Sequence, residues 1–287
     1  MKNILITGSK GQLGNEMREA ANQYPSFNYI YTDIEELDIC DKTTLSDFVK
    51  TNNVNTIVNC AAYTAVDKAE NDVELCYKIN CEAVRNIGEV ANENNINVVH
   101  VSTDYVFDGS NNIPYTENMA VCPTSVYGKS KLAGEKALFD NCNNAVVIRT
   151  SWLYSSFGNN FVKTMIKLGR ERDTLGVIFD QVGTPTYAAD LADCILKIIQ
   201  HENFTTGIYH FSNEGVCSWY DFTKTIHRLA GISCDVRPIE TKEYPTPTPR
   251  PHYSVLNKNK IKANYDIIIP HWEESLVKCL NKIMSNN

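Results

Sequence analysis

Three side chains of this chain could together place a proton on a carbonyl oxygen: Thr103, Tyr127 and Lys131. Tyr127 and Lys131 stand four residues apart in "VYGKSK", so they share one face if the stretch 126–140 is a helix. Reducing a ketone takes a hydride on carbon and a proton on oxygen. A phenol, with a reference pKa of about 10, is a poor proton relay at neutral pH. A lysine ammonium beside it, joined by the positive charge of an oxidised nicotinamide, favours the phenolate and lowers that pKa. Lys131 can also hydrogen-bond a nicotinamide ribose and so fix a hydride donor. The Thr103 hydroxyl would hold the substrate oxygen and share the developing charge with Tyr127.

The same stretch has two plainer readings. Gly128, Lys129 and Ser130 echo the tail of a phosphate-binding loop, but that loop needs a glycine five residues earlier, where the chain has Pro123. An amphipathic helix would account for Leu132, Ala133, Ala137 and Leu138, and the Y-x-x-x-K spacing is common by chance. Context favours the catalytic pair. Thr103 falls at the carboxyl end of an expected strand, where open α/β sheets place their chemistry, and a glycine turn follows the first strand.

The elements that must position these groups are legible as an alternation. Segments 3–8, 29–33, 56–62, 98–104 and 145–151 are β-branched and almost continuously apolar, as buried parallel strands are. Helical patterns fill 12–23, 43–51, 69–94 and 126–140. This predicts an α/β fold, a Rossmann-type doubly wound parallel sheet with right-handed crossovers. After residue 152 the rhythm changes: helices at 159–172 and 188–200 flank a loop at 179–187. A strand at 207–212, a helix at 219–231, a strand at 235–239, an extended proline-bearing loop at 241–255 and a helix at 273–284 follow. The expected division is an NAD(P)-binding domain over 1–152 and a smaller, mainly substrate-binding region over 153–287. Elements at about 177–213 are expected to return to the sheet.

"ITGSKGQLG" spaces Gly8, Gly11 and Gly14 as G-x-x-G-x-x-G directly after the first strand. Such a turn lets backbone N–H groups and a helix N-terminus face a pyrophosphate without a Cβ in the way. Asp33, closing the second strand, is placed to bond adenosine ribose hydroxyls; its plainer reading is a solvated loop aspartate. No arginine or lysine follows it closely to hold a 2′-phosphate, which leans toward NADH or tolerance of both cofactors. Asp38 and Ile39 pair an acid with an apolar residue, suited to an adenine amino group and ring face. The run "CAAYT", with Ala62, Tyr63 and Thr64, puts small residues where a cofactor could pass closely.

Composition narrows the function class. With 287 residues, 43% hydrophobic and 21% charged, the chain can bury a sizeable core. A formal charge of -7 without basic clusters argues against a nucleic-acid surface. No apolar stretch is long enough to span a bilayer, and no signal peptide is recognisable, so a cytoplasmic protein is expected. Ten scattered cysteines without a CxxC pair read as reduced, mostly buried thiols, and six histidines without HxxxH or HExxH spacing give no zinc site.

With these residues on the page, the chain resembles the extended short-chain dehydrogenase/reductases, and within them the dTDP-4-dehydrorhamnose reductase family, essentially end to end. The likeness rests on "TGSKGQLG", "ELDICD", "VNCAAYTAVDKAE", "VSTDYVFDG", "YGKSKLAGE", "IRTSWLYSSFGNNFVKTM", "DQVGTPT" and "RPHYSVL". It implies Thr103, Tyr127 and Lys131 as catalytic residues, and cofactor contacts from Gly11, Gln12, Leu13, Asp38, Ile39, Ala62, Tyr63, Thr64, Tyr127 and Lys131. Thr103, Asp104 and Trp152 would touch a nucleotide sugar, and Arg250 in the proline-bearing loop could supply a phosphate contact. The implied reaction is reduction of dTDP-4-dehydro-L-rhamnose by NADPH or NADH, in a monomer or homodimer, with no nucleic acid or membrane partner. Related dehydratases carry Asp-Glu after the threonine, whereas Asp104-Tyr105 stands here, and related epimerases are usually longer in the substrate region. Reduction of another nucleotide deoxysugar, or a non-catalytic role like that of the regulatory subunit of methionine adenosyltransferase, are the alternatives. Some members hold magnesium between helices; Glu16 and Asp190 match two of the positions, but Lys282 stands where an acid is wanted. Glu16 is therefore expected on a helix surface.

Overall fold

Six β-branched runs pair side by side because each is apolar on both faces and must be covered on both. They are β1 (Lys2–Thr7), β2 (Phe27–Tyr31), β3 (Val54–Asn59), β4 (Asn97–Thr103), β5 (Ala145–Thr150) and β6 (Gly207–His210). The structure, a computed structural model, describes residues 1–285. The sheet is parallel throughout, in the order β6-β5-β4-β3-β1-β2. The chain therefore reverses direction of winding between β1 and β3, which opens a crevice at the carboxyl ends of the strands.

Helices cover both faces. On one lie α1 (Gln12–Ala20) and a helix from the second half of the chain, Ala188–Gln200, whose Leu191, Ile195 and Ile199 pack with Ile4, Ile6 and Met17. On the other lie α2 (Lys42–Thr51), α3 (Ala83–Glu93) and α4 (Val126–Asn141), which close over Leu5, Ile57 and Val147. Ala188–Gln200 is α6; α5 (Phe161–Glu171), α7 (Trp219–Ala230) and α8 (Trp272–Ser285) build a separate core around Val162, Phe222 and Leu276. Strands Thr174–Ile178 and Asp235–Ile239 pair in parallel beside it; the first had no signal in the sequence reading.

The single helix expected over 69–94 is three pieces: Val66–Ala69, then Val73–Tyr77 running through a π turn at Lys78–Glu82, and α3. The wide turn has a local cause. The Asn80 side chain folds back on the main chain of Tyr63 (2.9 and 3.1 Å) and onto Ser130 Oγ (3.0 Å). Its carbonyl is pressed against α4, where only glycine fits: a Cβ on Gly134 would come within 2.0 Å of it. An inserted residue of this kind shifts one carbonyl out of the helical ladder.

None of the ten cysteines is paired, and six of them are buried. No helix among the described residues is long and apolar enough to cross a membrane.

Candidate active site

Strand alternation decides what β4 shows to each layer. Val99 and Val101 join the core with α6, while His100 and Ser102 point at α4. The helix starts where Ser125 accepts a hydrogen bond from the Gly128 N–H (3.0 Å), and Glu70 accepts one from the Val126 N–H (2.9 Å). From that start Tyr127, Lys131 and Glu135 fall on one face, turned to the sheet, and all three are buried.

Each member of that row has a different partner. Tyr127 lies at the crevice mouth with the edge of Tyr105 against it, ring centroids 5.5 Å apart. Burial pushes its phenol above the ordinary value, and the Thr103 hydroxyl offsets this in part. The Lys131 amine donates to the Val101 carbonyl at 2.7 Å and meets His100 Nε2 at 3.3 Å, and burial brings it down to about 8. Without a bound dinucleotide, burial dominates the Tyr127 environment and the phenol keeps its proton. Glu135 forms a forked pair with Arg149 (2.9 and 2.6 Å) and accepts from Ser102 Oγ at 2.5 Å, locking the helix to β4 and β5.

Thr103 Oγ1 accepts from the Tyr105 N–H (3.2 Å) and donates to Asp104 Oδ1 (3.0 Å). Asp104 Oδ2 is buried without a hydrogen-bond partner among the described residues, and burial raises this carboxyl to about 7. The hydroxyls of Thr103 and Ser254 act on the same carboxyl and offset that rise in part.

The glycine turn faces the same crevice, a cleft of about 870 Å³. Gly8 has φ 63°, and a Cβ there would meet Ala61 N at 2.7 Å. Gly14 packs under the turn, its missing Cβ 2.5 Å from Gly8 O. Gly11 caps α1 without any side-chain bond, and no acid sits in the first turn, so the first N–H groups stay open to an anion. These glycines and donors fit a dinucleotide pyrophosphate.

Most residues expected to contact ligands meet in this cleft. Gly8, Gly11, Gln12, Leu13, Asp33, Asp38 and Ile39 line one end, and Ala62 and Thr64 its middle. Thr103, Asp104, Tyr127, Lys131 and Trp152 line the other end. Three expected residues do not line it. Gly14 is packed below, Tyr63 turns its hydroxyl to Asp72 (2.8 Å), and Arg250 grips Asp67 Oδ2 (2.7 Å). Trp152 has φ 49° and stacks flat on Trp219, centroids 3.4 Å apart, over Gly183, whose Cβ would strike its ring.

Two features had escaped the sequence reading. Lys10 lines the cleft from inside the glycine turn, donating its N–H to Asp33 (3.0 Å) and pairing its ammonium with Glu35 and Glu36. Lys10 precedes Asp33 by 23 residues, so the residues that follow Asp33 carry no sign of it. His100 was read only as part of an apolar strand, though a histidine in such a run is a signal in itself.

Glu16 is not on the surface. It is 1% exposed, accepting from Ser155 Oγ at 2.7 Å and facing the Lys282 ammonium at 3.4 Å. Asp190 is occupied by Asn213 Nδ2 and Ser275 Oγ (2.7 and 2.5 Å). A cation in the bundle and donors already on the carboxylates do not fit magnesium.

The family described as the RmlD substrate binding domain matches residues 1–285. A dTDP-4-dehydrorhamnose reductase of Salmonella typhimurium is 41% identical over 99% of this chain and 98% of that protein. The solved dTDP-4-dehydrorhamnose reductase of Clostridium acetobutylicum is 43% identical, with a TM-score of 0.94 over 98% of this chain and 99% of that one. That of Bacillus anthracis, solved in complex with NADP, is 39% identical with a TM-score of 0.94, over 98% and 100%.

Proposed function

This chain belongs to the RmlD substrate binding domain family, and from that premise we propose that it reduces the 4-keto group of dTDP-4-dehydro-β-L-rhamnose to dTDP-L-rhamnose, using NADPH or NADH. The observation that carries the reading is that Thr103, Tyr127 and Lys131 line the same cleft as the open glycine turn. In this reading residues 1–152 bind the dinucleotide and 153–287 mainly the nucleotide sugar, with about 177–213 returning to the sheet; β6 pairing with β5 supports that return. The enzyme acts in the cytoplasm, on a precursor of cell-surface polysaccharide.

The bound dinucleotide supplies the hydride that adds to C4. Tyr127, whose phenol keeps its proton, donates that proton to the carbonyl oxygen as the C–H bond forms, so the ketone becomes a secondary alcohol. Thr103 holds that oxygen beside the phenol. Lys131 recharges the phenolate and bonds the cofactor ribose. Asp104, which lines the cleft, accepts from a sugar hydroxyl, and the flat Trp152–Trp219 stack walls the sugar side. Gly11, Gln12 and Leu13 present main-chain N–H groups to the pyrophosphate, and Asp33, Asp38 and Ile39 receive the adenosine end. A non-catalytic regulatory role would leave this cleft without a use.

The test is consumption of NADPH and of NADH by the purified chain on adding the dTDP-ketosugar, with other nucleotide ketosugars in parallel. No turnover with any of them, or turnover retained in full by Tyr127→Phe, would sink the reading.

A further inference from the structure

Below the cleft a line of buried polar side chains crosses three strands in register. Thr7 on β1 stands beside Asn59 on β3, and Asn59 beside His100 on β4. All three are no more than 2% exposed. Thr7 Oγ1 donates to Asn59 Oδ1 (2.7 Å), Asn59 Nδ2 meets His100 Nδ1 (3.0 Å), and His100 Nε2 meets Lys131 Nζ (3.3 Å). Nothing in the proposed chemistry uses Thr7, Asn59 or His100.

The line has a direction. The Ala61 main-chain N–H also points at Asn59 Oδ1 (3.2 Å), and an N–H can only donate, so that atom must be the amide oxygen. The amide NH2 therefore faces His100 Nδ1, which must accept. A neutral imidazole with Nδ1 accepting carries its proton on Nε2. That N–H points at the Lys131 nitrogen. An ammonium has no lone pair to receive it; a neutral amine does.

We propose that His100 is a positioning residue for Lys131: its Nε2–H, aimed by Asn59, holds the amine on Val101 and favours its neutral, proton-accepting form. The inference rests on reading Lys131 as the group that recharges Tyr127. Several other groups face the amine. Glu135 lies one turn on along α4, already paired with Arg149; Cys76 comes from Val73–Tyr77; and Tyr127 lies one turn back. Of these, Glu135 and Cys76 favour the ammonium, while burial opposes it. Burial keeps His100 itself uncharged. A lysine whose proton is loosely held near the working pH returns it to a phenolate far more readily than an ordinary one.

Two spectra on the full chain, without turnover, test this. A long-range proton–nitrogen correlation of His100 should show the Nε2–H form; an Nδ1–H imidazole or an imidazolium overturns the proposal. Titration of the Lys131 Cε resonance should move up by about one pH unit in His100→Leu, a roughly tenfold change in proton affinity. His100→Gln keeps an acceptor toward Asn59 and a donor toward Lys131, so it should titrate like the parent. A His100→Leu midpoint equal to the parent's, or His100→Gln behaving like His100→Leu, overturns it. Should His100→Leu not fold, the tautomer and the His100→Gln titration decide. Failure of the ketosugar assay would strike the proposed function and leave these readouts standing.

Discussion

The Lys282 ammonium of α8 lies 3.4 Å from Glu16 Oε2 on α1, and the Glu16 side chain is fully enclosed. The contact joins the last helix to the first across the boundary between the two halves of the chain. A buried carboxylate needs a compensating partner, and here the partner is a side chain of the same chain. Glu19 shares the same ammonium at the surface. Lys282→Met is expected to cost about 1–3 kcal/mol by leaving Glu16 with only the hydroxyls of Ser155 and Ser156. Glu16→Gln in the same background should recover most of it. Urea unfolding reads both, and millimolar magnesium should leave the parent's transition where it is. A rise in Tm that tracks metal concentration would contradict the reading.

Tyr127→Phe keeps the ring packed on Tyr105 and removes only the hydroxyl. The expected result is a kcat lower by about 10²–10⁴-fold, with a much smaller effect on dinucleotide affinity. The pH profile gives a second check. Lys131 is brought down to about 8, so its proton is present below that pH and lost above it. Reduction should therefore decline above about pH 8, while the phenol, pushed up by burial, stays protonated over the same range. A flat rate through pH 9.5, about 1.5 units further on, would remove Lys131 as the proton source.

Asp104 offers a stability test. Its carboxyl is raised from the ordinary 3.8 to about 7 by burial, so the folded protein binds a proton that the unfolded chain gives up. That contribution is fully present below pH 3.8 and is lost as pH rises through about 7. Relative to Asp104→Asn, the parent should lose roughly 1.4 kcal/mol per pH unit across that window and then level off. Paired urea titrations at several pH values measure the difference. A constant gap between the two proteins would mean that the carboxyl is not desolvated.

How much of this was legible depended on the distance over which each cause acts. The parallel sheet could be read because β1 to β5 are each coded by five to seven adjacent residues, and the glycine turn because Gly8, Gly11 and Gly14 follow one another at close spacing. Tyr127 and Lys131 were visible as a spacing along one helix. Glu16 was misread because its cationic partner is 266 residues away, and a helix pattern cannot show a neighbour so distant in the chain. The π turn was invisible for a different reason: the apolar period runs straight through 69–94, and the break is imposed by Asn80 folding onto Tyr63. Arg250 likewise looked free in a loop, and its partner Asp67 is 183 residues away.

Lys10 gives a test of cofactor choice. It lines the cleft with its main-chain N–H on Asp33, and its ammonium is shared between Glu35 and Glu36. Asp33 suits a ribose hydroxyl and repels a 2′-phosphate; Lys10 does the reverse, and it can turn from its acidic partners at little cost because the pairs are exposed. Lys10→Ala should therefore raise the KM for NADPH by about 2–5-fold, the scale of an exposed ion pair, and leave that for NADH unchanged. Glu35→Gln should shift preference the other way, by freeing the ammonium. Initial rates with both cofactors at fixed ketosugar measure the ratio. An equal loss on the two would mean that Lys10 only braces the turn, since a brace cannot distinguish a phosphate from a hydroxyl.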